Sequence, residues 1–230
     1  VTAADLPSRP AAGAAAPGDL PGRWSAVHHG IDPGRVPLLG RWLRGMWVGG
    51  RLLSRAGVPP TAVTGAGVGL AGAAVALAAR HPVAAGAAVL GAALCDGLDG
   101  ATAIVGGRAT RSGAVADAVA DRLSDGAFAL VLWRRGAPGW SAATAVGAAW
   151  GVDTLRRIRR VPARITVAER PTFTICALLA CGSALVSPNR WPARLCAAVW
   201  TGAGAVGVLQ LLRTPPGPAI RGERAGRPAR

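Results

Sequence analysis

Four aspartates fall within one 26-residue window: Asp96 and Asp99 in Asp96-Gly97-Leu98-Asp99-Gly100, then Asp117 and Asp121 in Gly113-Ala114-Val115-Ala116-Asp117-Ala118-Val119-Ala120-Asp121. The chain has only 11 acidic residues, and these interrupt sequence that otherwise reads as apolar helix. The first pair is spaced i, i+3 and the second i, i+4, so each pair shares one helical face. A carboxylate within a membrane costs roughly 2.5–3.5 kcal/mol on insertion scales, so four cost on the order of 10–14 kcal/mol. Two that converge also repel by about 4 kcal/mol at an effective dielectric near 20. A Gly/Ala-rich helix pair has no structural need for such groups. A bound divalent cation does, and oxygen sites rich in carboxylate suit Mg²⁺ or Mn²⁺ with positions left for substrate phosphates.

The elements that must position them are apolar helices. The chain is 51% hydrophobic, with a mean hydropathy of +0.35 and a net charge of +15. Its apolar stretches alternate with arginine clusters, the pattern of a multi-pass membrane protein and not of a nucleic-acid binder. Six apolar segments are expected to be transmembrane helices, at about 61–79, 83–105, 113–133, 138–155, 171–187 and 192–212. Pro, Gly or Arg breaks separate them: Arg80-His81-Pro82, Gly106-Gly107, Arg134-Arg135-Gly136, the basic loop from Arg156 to Arg170, and Ser187-Pro188-Asn189. Before them, residues 35–55 form an amphipathic stretch. Arg41, Arg44, Arg51 and Arg55 fall within about 80° on a helical wheel, opposite Leu39, Trp42, Leu43, Met46 and Leu53. This suits an interfacial helix with arginines toward anionic headgroups, although Gly45, Gly49 and Gly50 weigh against helix. The fold class is therefore all-α integral membrane, six transmembrane helices preceded by an N-terminal amphipathic interfacial helix. Residues 1–30 read as disordered, 31–213 as the membrane domain, and 214–230 as a disordered basic tail.

Arginine asymmetry sets the orientation. With the N-terminus cytoplasmic, that side receives 20 arginines, against five outside (Arg80, Arg134, Arg135, Arg190 and Arg194). Both termini and the aspartate cluster then lie on the cytoplasmic side, and Trp133, Trp140 and Trp191 mark the outer interface. No cleavable signal sequence is expected, so the first membrane helix serves for insertion. Cys95, Cys176, Cys181 and Cys196 lie within apolar segments without metal-ligand spacing and read as small apolar fillers. Segments two and three, joined by Gly106-Gly107-Arg108-Ala109-Thr110-Arg111-Ser112, read as antiparallel neighbours that bring all four aspartates to one depth.

The window from Asp96 to Asp121 resembles the signature of the CDP-alcohol phosphatidyltransferases: Asp-x-x-Asp-Gly-x-x-Ala-Arg, eight residues, then Gly-x-x-x-Asp-x-x-x-Asp. Seven of the eight fixed positions match, and Ile104 stands where the family has arginine. Leu53 to Thr64 resembles the family's entry into its first membrane helix. Asp121-Arg122-Leu123-Ser124-Asp125-Gly126 and Glu169-Arg170-Pro171 resemble the phosphatidylinositol-phosphate synthase branch, in which a second arginine tends to stand where this chain has Phe173. The resemblance covers residues 35–212.

The resemblance implies a six-helix membrane fold and transfer of a phosphatidyl group from CDP-diacylglycerol to an alcohol, with CMP released. It implies two Mg²⁺ or Mn²⁺ ions, with Asp96, Asp99, Asp117 and Asp121 at the metals and Asp121 as the general base. Gly100, Ala103 and Gly113 fall at nucleotide-binding positions. For the acceptor or its phosphate the candidates are Arg108, Arg111, Arg157, Arg160 and Arg170, the last three in a basic segment that topology alone would also fill with arginine. A phosphorylated polyol such as inositol phosphate or glycerol phosphate is the acceptor class implied, and homodimers are usual in the family. Ile104 motivates a rival reading, a silent paralogue that binds CDP-lipid or serves as a membrane scaffold. An ion path is weaker, since the aspartates cluster toward one face.

Overall fold

The computed structural model describes residues 37–159, 170–186 and 189–214, with backbone only at residues 37–39, Arg157 and Arg170. The expectations for the N-terminal 30 residues, for Arg160 and most of the basic loop, and for the tail beyond Thr214 lie outside the described residues. Within them the chain forms seven α-helices: α1 Pro37–Arg55, α2 Pro60–Leu77, α3 Pro82–Val105, α4 Arg111–Arg134, α5 Gly139–Arg159, α6 Arg170–Gly182 and α7 Trp191–Arg213. A 3₁₀ turn, Ser183–Leu185, extends α6.

Local chemistry sets the boundaries. Prolines open α2, α3 and α7, where the missing N–H has no intrahelical role. Thr110 caps α4, its hydroxyl oxygen accepting from the Gly113 N–H at 3.0 Å. Gly107 ends α3 at φ +61°; its N–H and that of Arg108 return to the Ile104 and Ala103 carbonyls, closing a left-handed helix terminus. Gly57 ends α1 in the same way at φ +76°. Arginines serve other ends. Arg135 donates to the Ala180 and Ala78 carbonyls, and Arg159 to the carbonyls of Leu211, Leu212 and Thr214 at the end of α7.

Helix α2 packs against both α3 and α4, α1 against α3, and α7 against α5 and α6. The core is mostly alanine, with Trp200, Phe128, Phe173, Leu132 and Leu211 as its larger buried side chains. Trp200 stacks on Phe173 at 4.6 Å between ring centroids. Small residues bring helices into close approach, the means of association available where lipid removes the hydrophobic drive between them. Large apolar side chains point outward instead, among them Val119, Leu123 and Leu130 on α4 and Leu195, Val199 and Leu209 on α7. That inversion suits an apolar surround.

Each of the six expected apolar segments is a helix, while three of them, α2, α3 and α7, are long and apolar enough to cross a membrane by length and composition; Pro171–Leu185 is a shorter apolar stretch. Charged residues on α4 (Asp117, Asp121, Arg122, Asp125) and α5 (Asp153, Arg156) lower their hydropathy. Helices α3 and α4 are consecutive, but their backbones make few close contacts, and α2 packs on both.

Candidate metal and substrate site

The aspartates converge between α3 and α4. One carboxylate oxygen each from Asp96 on α3 and from Asp117 and Asp121 on α4 lie within 4.8 Å of one another. Helical phase explains the α4 pair, which are four residues apart and point the same way. At that spacing each pair repels by about 3.5 kcal/mol at an effective dielectric near 20. Three acidic oxygens held together between two helices that do not pack directly form an oxygen donor set of the kind hard divalent cations take.

Asp99 is set differently. It is buried, 5% exposed. Its carboxylate accepts from the Thr64 hydroxyl of α2 at 2.6 Å and from the Gly100 N–H at 2.6 Å. Asp96 and Asp99 nonetheless line one crevice, with Thr64, Gly67, Ala92, Ala120 and Ser124. Thus the structure brings Asp96, Asp117 and Asp121 together and turns Asp99 toward α2, one step away.

Helix α1 holds the other side of α3. A Cβ at Gly50 would lie 2.9 Å from the carbonyl carbon of Ala101 and 3.0 Å from the Thr102 nitrogen. A Cβ at Gly97 would lie 2.8 Å from the Met46 sulfur. Glycine therefore lets the two backbones meet directly beside Asp96 and Asp99. The glycines that argue against a helix at 35–55 are thus in part its contact surface on α3, and Arg41, Arg44, Arg51 and Arg55 stay exposed.

Gly100 is exposed with open space where its Cβ would stand, Ala103 is half-buried, and Gly113 sits in the first turn of α4. Arg108 and Arg111 are exposed and flank the α3–α4 connection; Ile104 is 37% exposed at the end of α3. Arg157 lies in the last turns of α5 and Arg170 opens α6, so their backbones flank the basic loop.

Two residues of this region escaped notice in the sequence. Thr64 closes the Leu53–Thr64 stretch that resembles the family's entry into its first membrane helix, but its hydroxyl carried no site role in the sequence. Asp153 did carry one, a lone acidic residue within apolar sequence, the same signal that marked the four aspartates. It pairs with Arg122, the residue after Asp121. Arg122 also lies 3.9 Å from buried Asp125, and Asp153 lies 4.0 Å from Arg156.

A bundle of apolar helices with carboxylate oxygens gathered between two of them has the arrangement of a membrane protein with a candidate cation site. The family model for CDP-alcohol phosphatidyltransferase matches residues 58–209, and the chain belongs to that family of enzymes. No curated protein matches it in sequence. Among solved structures it is similar to Mycobacterium tuberculosis phosphatidylinositol phosphate synthase (PgsA1) with CDP-DAG bound, at 27% identity and a TM-score of 0.59, covering 74% of this chain and 92% of that one. The same synthase in complex with manganese and citrate is similar in fold, with 24% identity, a TM-score of 0.56, and 72% and 84% covered. The 27%-identical synthase agrees with the branch that Asp121–Gly126 and Glu169-Arg170-Pro171 resemble.

Proposed function

We propose that this chain transfers the phosphatidyl group of CDP-diacylglycerol to an alcohol acceptor in phospholipid biosynthesis. The acceptor oxygen forms a bond to the phosphatidyl phosphorus, the bond from that phosphorus to the CMP oxygen breaks, and the hydroxyl proton passes to the Asp121 carboxylate. The observation that carries the proposal is the convergence of Asp96, Asp117 and Asp121 from two helices that both pack on α2. A carboxylate trio of this kind fits Mg²⁺ or Mn²⁺, with Asp99 joining from its position beside Thr64. Two such ions would supply charge neutralisation for the pyrophosphate and the departing CMP.

In this reading the open side of Gly100, with Ala103 and Gly113, faces the nucleotide. Arg108, Arg111, Arg157, Arg160 and Arg170 attract the anionic groups of donor and acceptor, and arginine suits phosphate through its planar fork. A phosphorylated polyol is the acceptor class that this charge favours, and the 27%-identical synthase supports it. The membrane domain spans 31–213, crosses the cell membrane six times and works as a homodimer. Its termini and site face the cytoplasm, as the arginine asymmetry requires.

The experiment is CMP release from CDP-diacylglycerol by detergent-purified protein with Mg²⁺ or Mn²⁺. The acceptor panel is inositol phosphate, glycerol phosphate, phosphatidylglycerol, serine and inositol. Acceptor-dependent CMP with a phosphorylated polyol is expected; release only with an uncharged alcohol would overturn the acceptor assignment. Ile104 favours a second reading, a silent relative that binds CDP-lipid or scaffolds the membrane. Turnover that appears only in Ile104→Arg would establish it, and native turnover would exclude it.

A further inference from the structure

Because α3 and α4 scarcely touch, their packing on each other does not fix the rotation of α4 about its own axis. Yet that rotation decides whether Asp117 and Asp121 meet Asp96. The buried face of α2 (Val63, Gly67, Ala71 and Ala74) is a seam of small and branched apolar residues. Such a seam sets a separation between helices but discriminates weakly among rotations, and the buried knobs of α4 itself, Phe128, Val131 and Leu132, lie in its far half, with no buried residue before Ser124 in the half that carries Asp117 and Asp121.

A directional contact exists on the other side. Successive helical residues are about 100° apart, so Arg122 leaves α4 roughly a quarter-turn from Asp121. Its Nη2 donates to Asp153 Oδ2 of α5, and its Nη1 lies 3.9 Å from Asp125 Oδ2, one turn along α4. The side chains of Arg122 and Asp153 are 29% and 33% exposed, and that of Asp125 is 4% exposed. Arg156, one turn beyond Asp153 at 4.0 Å, ties this cluster to the start of the basic segment. Both aspartates engage the planar guanidinium of Arg122, a fork whose geometry is directional where an ammonium would be a point charge. We propose that Arg122 and Asp153 form a positioning clamp that sets the rotation of α4 and so aims Asp117 and Asp121 at the cation site. This rests on the metal reading above; neither clamp residue is itself a metal ligand.

The test is Mn²⁺ binding to the full-length protein in detergent, followed by electron paramagnetic resonance of the free ion, in parallel with CMP release. Arg122→Gln and Asp153→Asn are each expected to raise the Mn²⁺ half-saturation about tenfold. The exchanged pair, Arg122→Asp with Asp153→Arg, is expected to return it to within about threefold of native. If a single variant fails to fold, Arg122→Lys carries the test, with a shift of about threefold expected from loss of the fork. Variants that lose thermal stability but keep the native Mn²⁺ half-saturation would overturn the clamp, showing an ion pair that only holds α4 and α5 together. A native protein that binds no Mn²⁺ would overturn the metal reading, and the clamp's purpose with it; binding by native and variants alike would overturn the clamp alone.

Discussion

Asp117→Asn separates a metal site from a chance acidic cluster because it has opposite effects with and without the cation. The oxygens of Asp96, Asp117 and Asp121 lie within 4.8 Å of one another, giving three repulsive pairs, and the substitution removes two of them. At that distance a pair costs about 3.5 kcal/mol at a dielectric near 20 and about 0.9 kcal/mol in bulk water. Asp117 is exposed, so the lower end applies and relief of the two pairs amounts to about 2 kcal/mol. Asparagine keeps the shape, and the metal-free protein should unfold at a higher temperature. With the cation the sign reverses. An ion at a hundred times its dissociation constant adds about 2.7 kcal/mol to the native protein, an increment that shrinks when an anionic ligand is lost. The assay is thermal unfolding in detergent with EDTA and with saturating Mn²⁺. A higher midpoint in EDTA and a smaller Mn²⁺ increment are expected. A variant that is less stable in EDTA, or that keeps the full Mn²⁺ increment, would refute the reasoning.

Other perturbations test the surroundings. Thr64→Val leaves the buried Asp99 carboxylate without its hydroxyl donor at 2.6 Å and should cost about 1.5–3 kcal/mol, with activity lowered, whereas Thr64→Ser should restore both; equal losses would deny the hydroxyl a role. Gly50→Ala places a methyl 2.9 Å from the Ala101 backbone and should cost about 1–3 kcal/mol through displacement of α1, read as a lower unfolding midpoint. Gly45→Ala, where open space surrounds the Cβ, should raise the midpoint slightly. Trp200→Ala empties a fully buried site stacked on Phe173 and should cost about 3–5 kcal/mol, which thermal unfolding would show alongside unchanged Mn²⁺ half-saturation.

Much of this was legible in the chain. The segments expected at 83–105 and 192–212 are the helices Pro82–Val105 and Trp191–Arg213, because proline and glycine breaks are local chemistry that tertiary structure does not override. The motif aspartates were legible too, since a carboxylate in apolar sequence stands out against its cost. Contacts between helices were not. Chain adjacency made α3 and α4 look like packed neighbours, whereas their backbones make few close contacts, both pack on α2, and it is their carboxylates that meet. Gly49 and Gly50 read as helix weakeners because propensity is a property of the isolated helix, while their use depends on the backbone of α3 opposite. Thr64 has the same history: a hydroxyl's partner lies 35 residues away, beyond any local pattern. Arg159 falls in the basic stretch from Arg156 to Arg170, where nothing local shows that its guanidinium satisfies the carbonyls ending α7.

The central claim is a metal-assisted phosphatidyl transfer in which Asp121 takes the acceptor proton. Its most direct measurement compares native protein with Asp121→Asn for acceptor-dependent CMP release and lipid product, with Mn²⁺ binding monitored in the same samples. The expected result is stoichiometric CMP and phospholipid from the native protein, and loss of both by a factor of about 10² or more in the variant. Residual Mn²⁺ binding through Asp96, Asp99 and Asp117 would accompany that loss. A variant that binds Mn²⁺ and turns over at the native rate would contradict the claim.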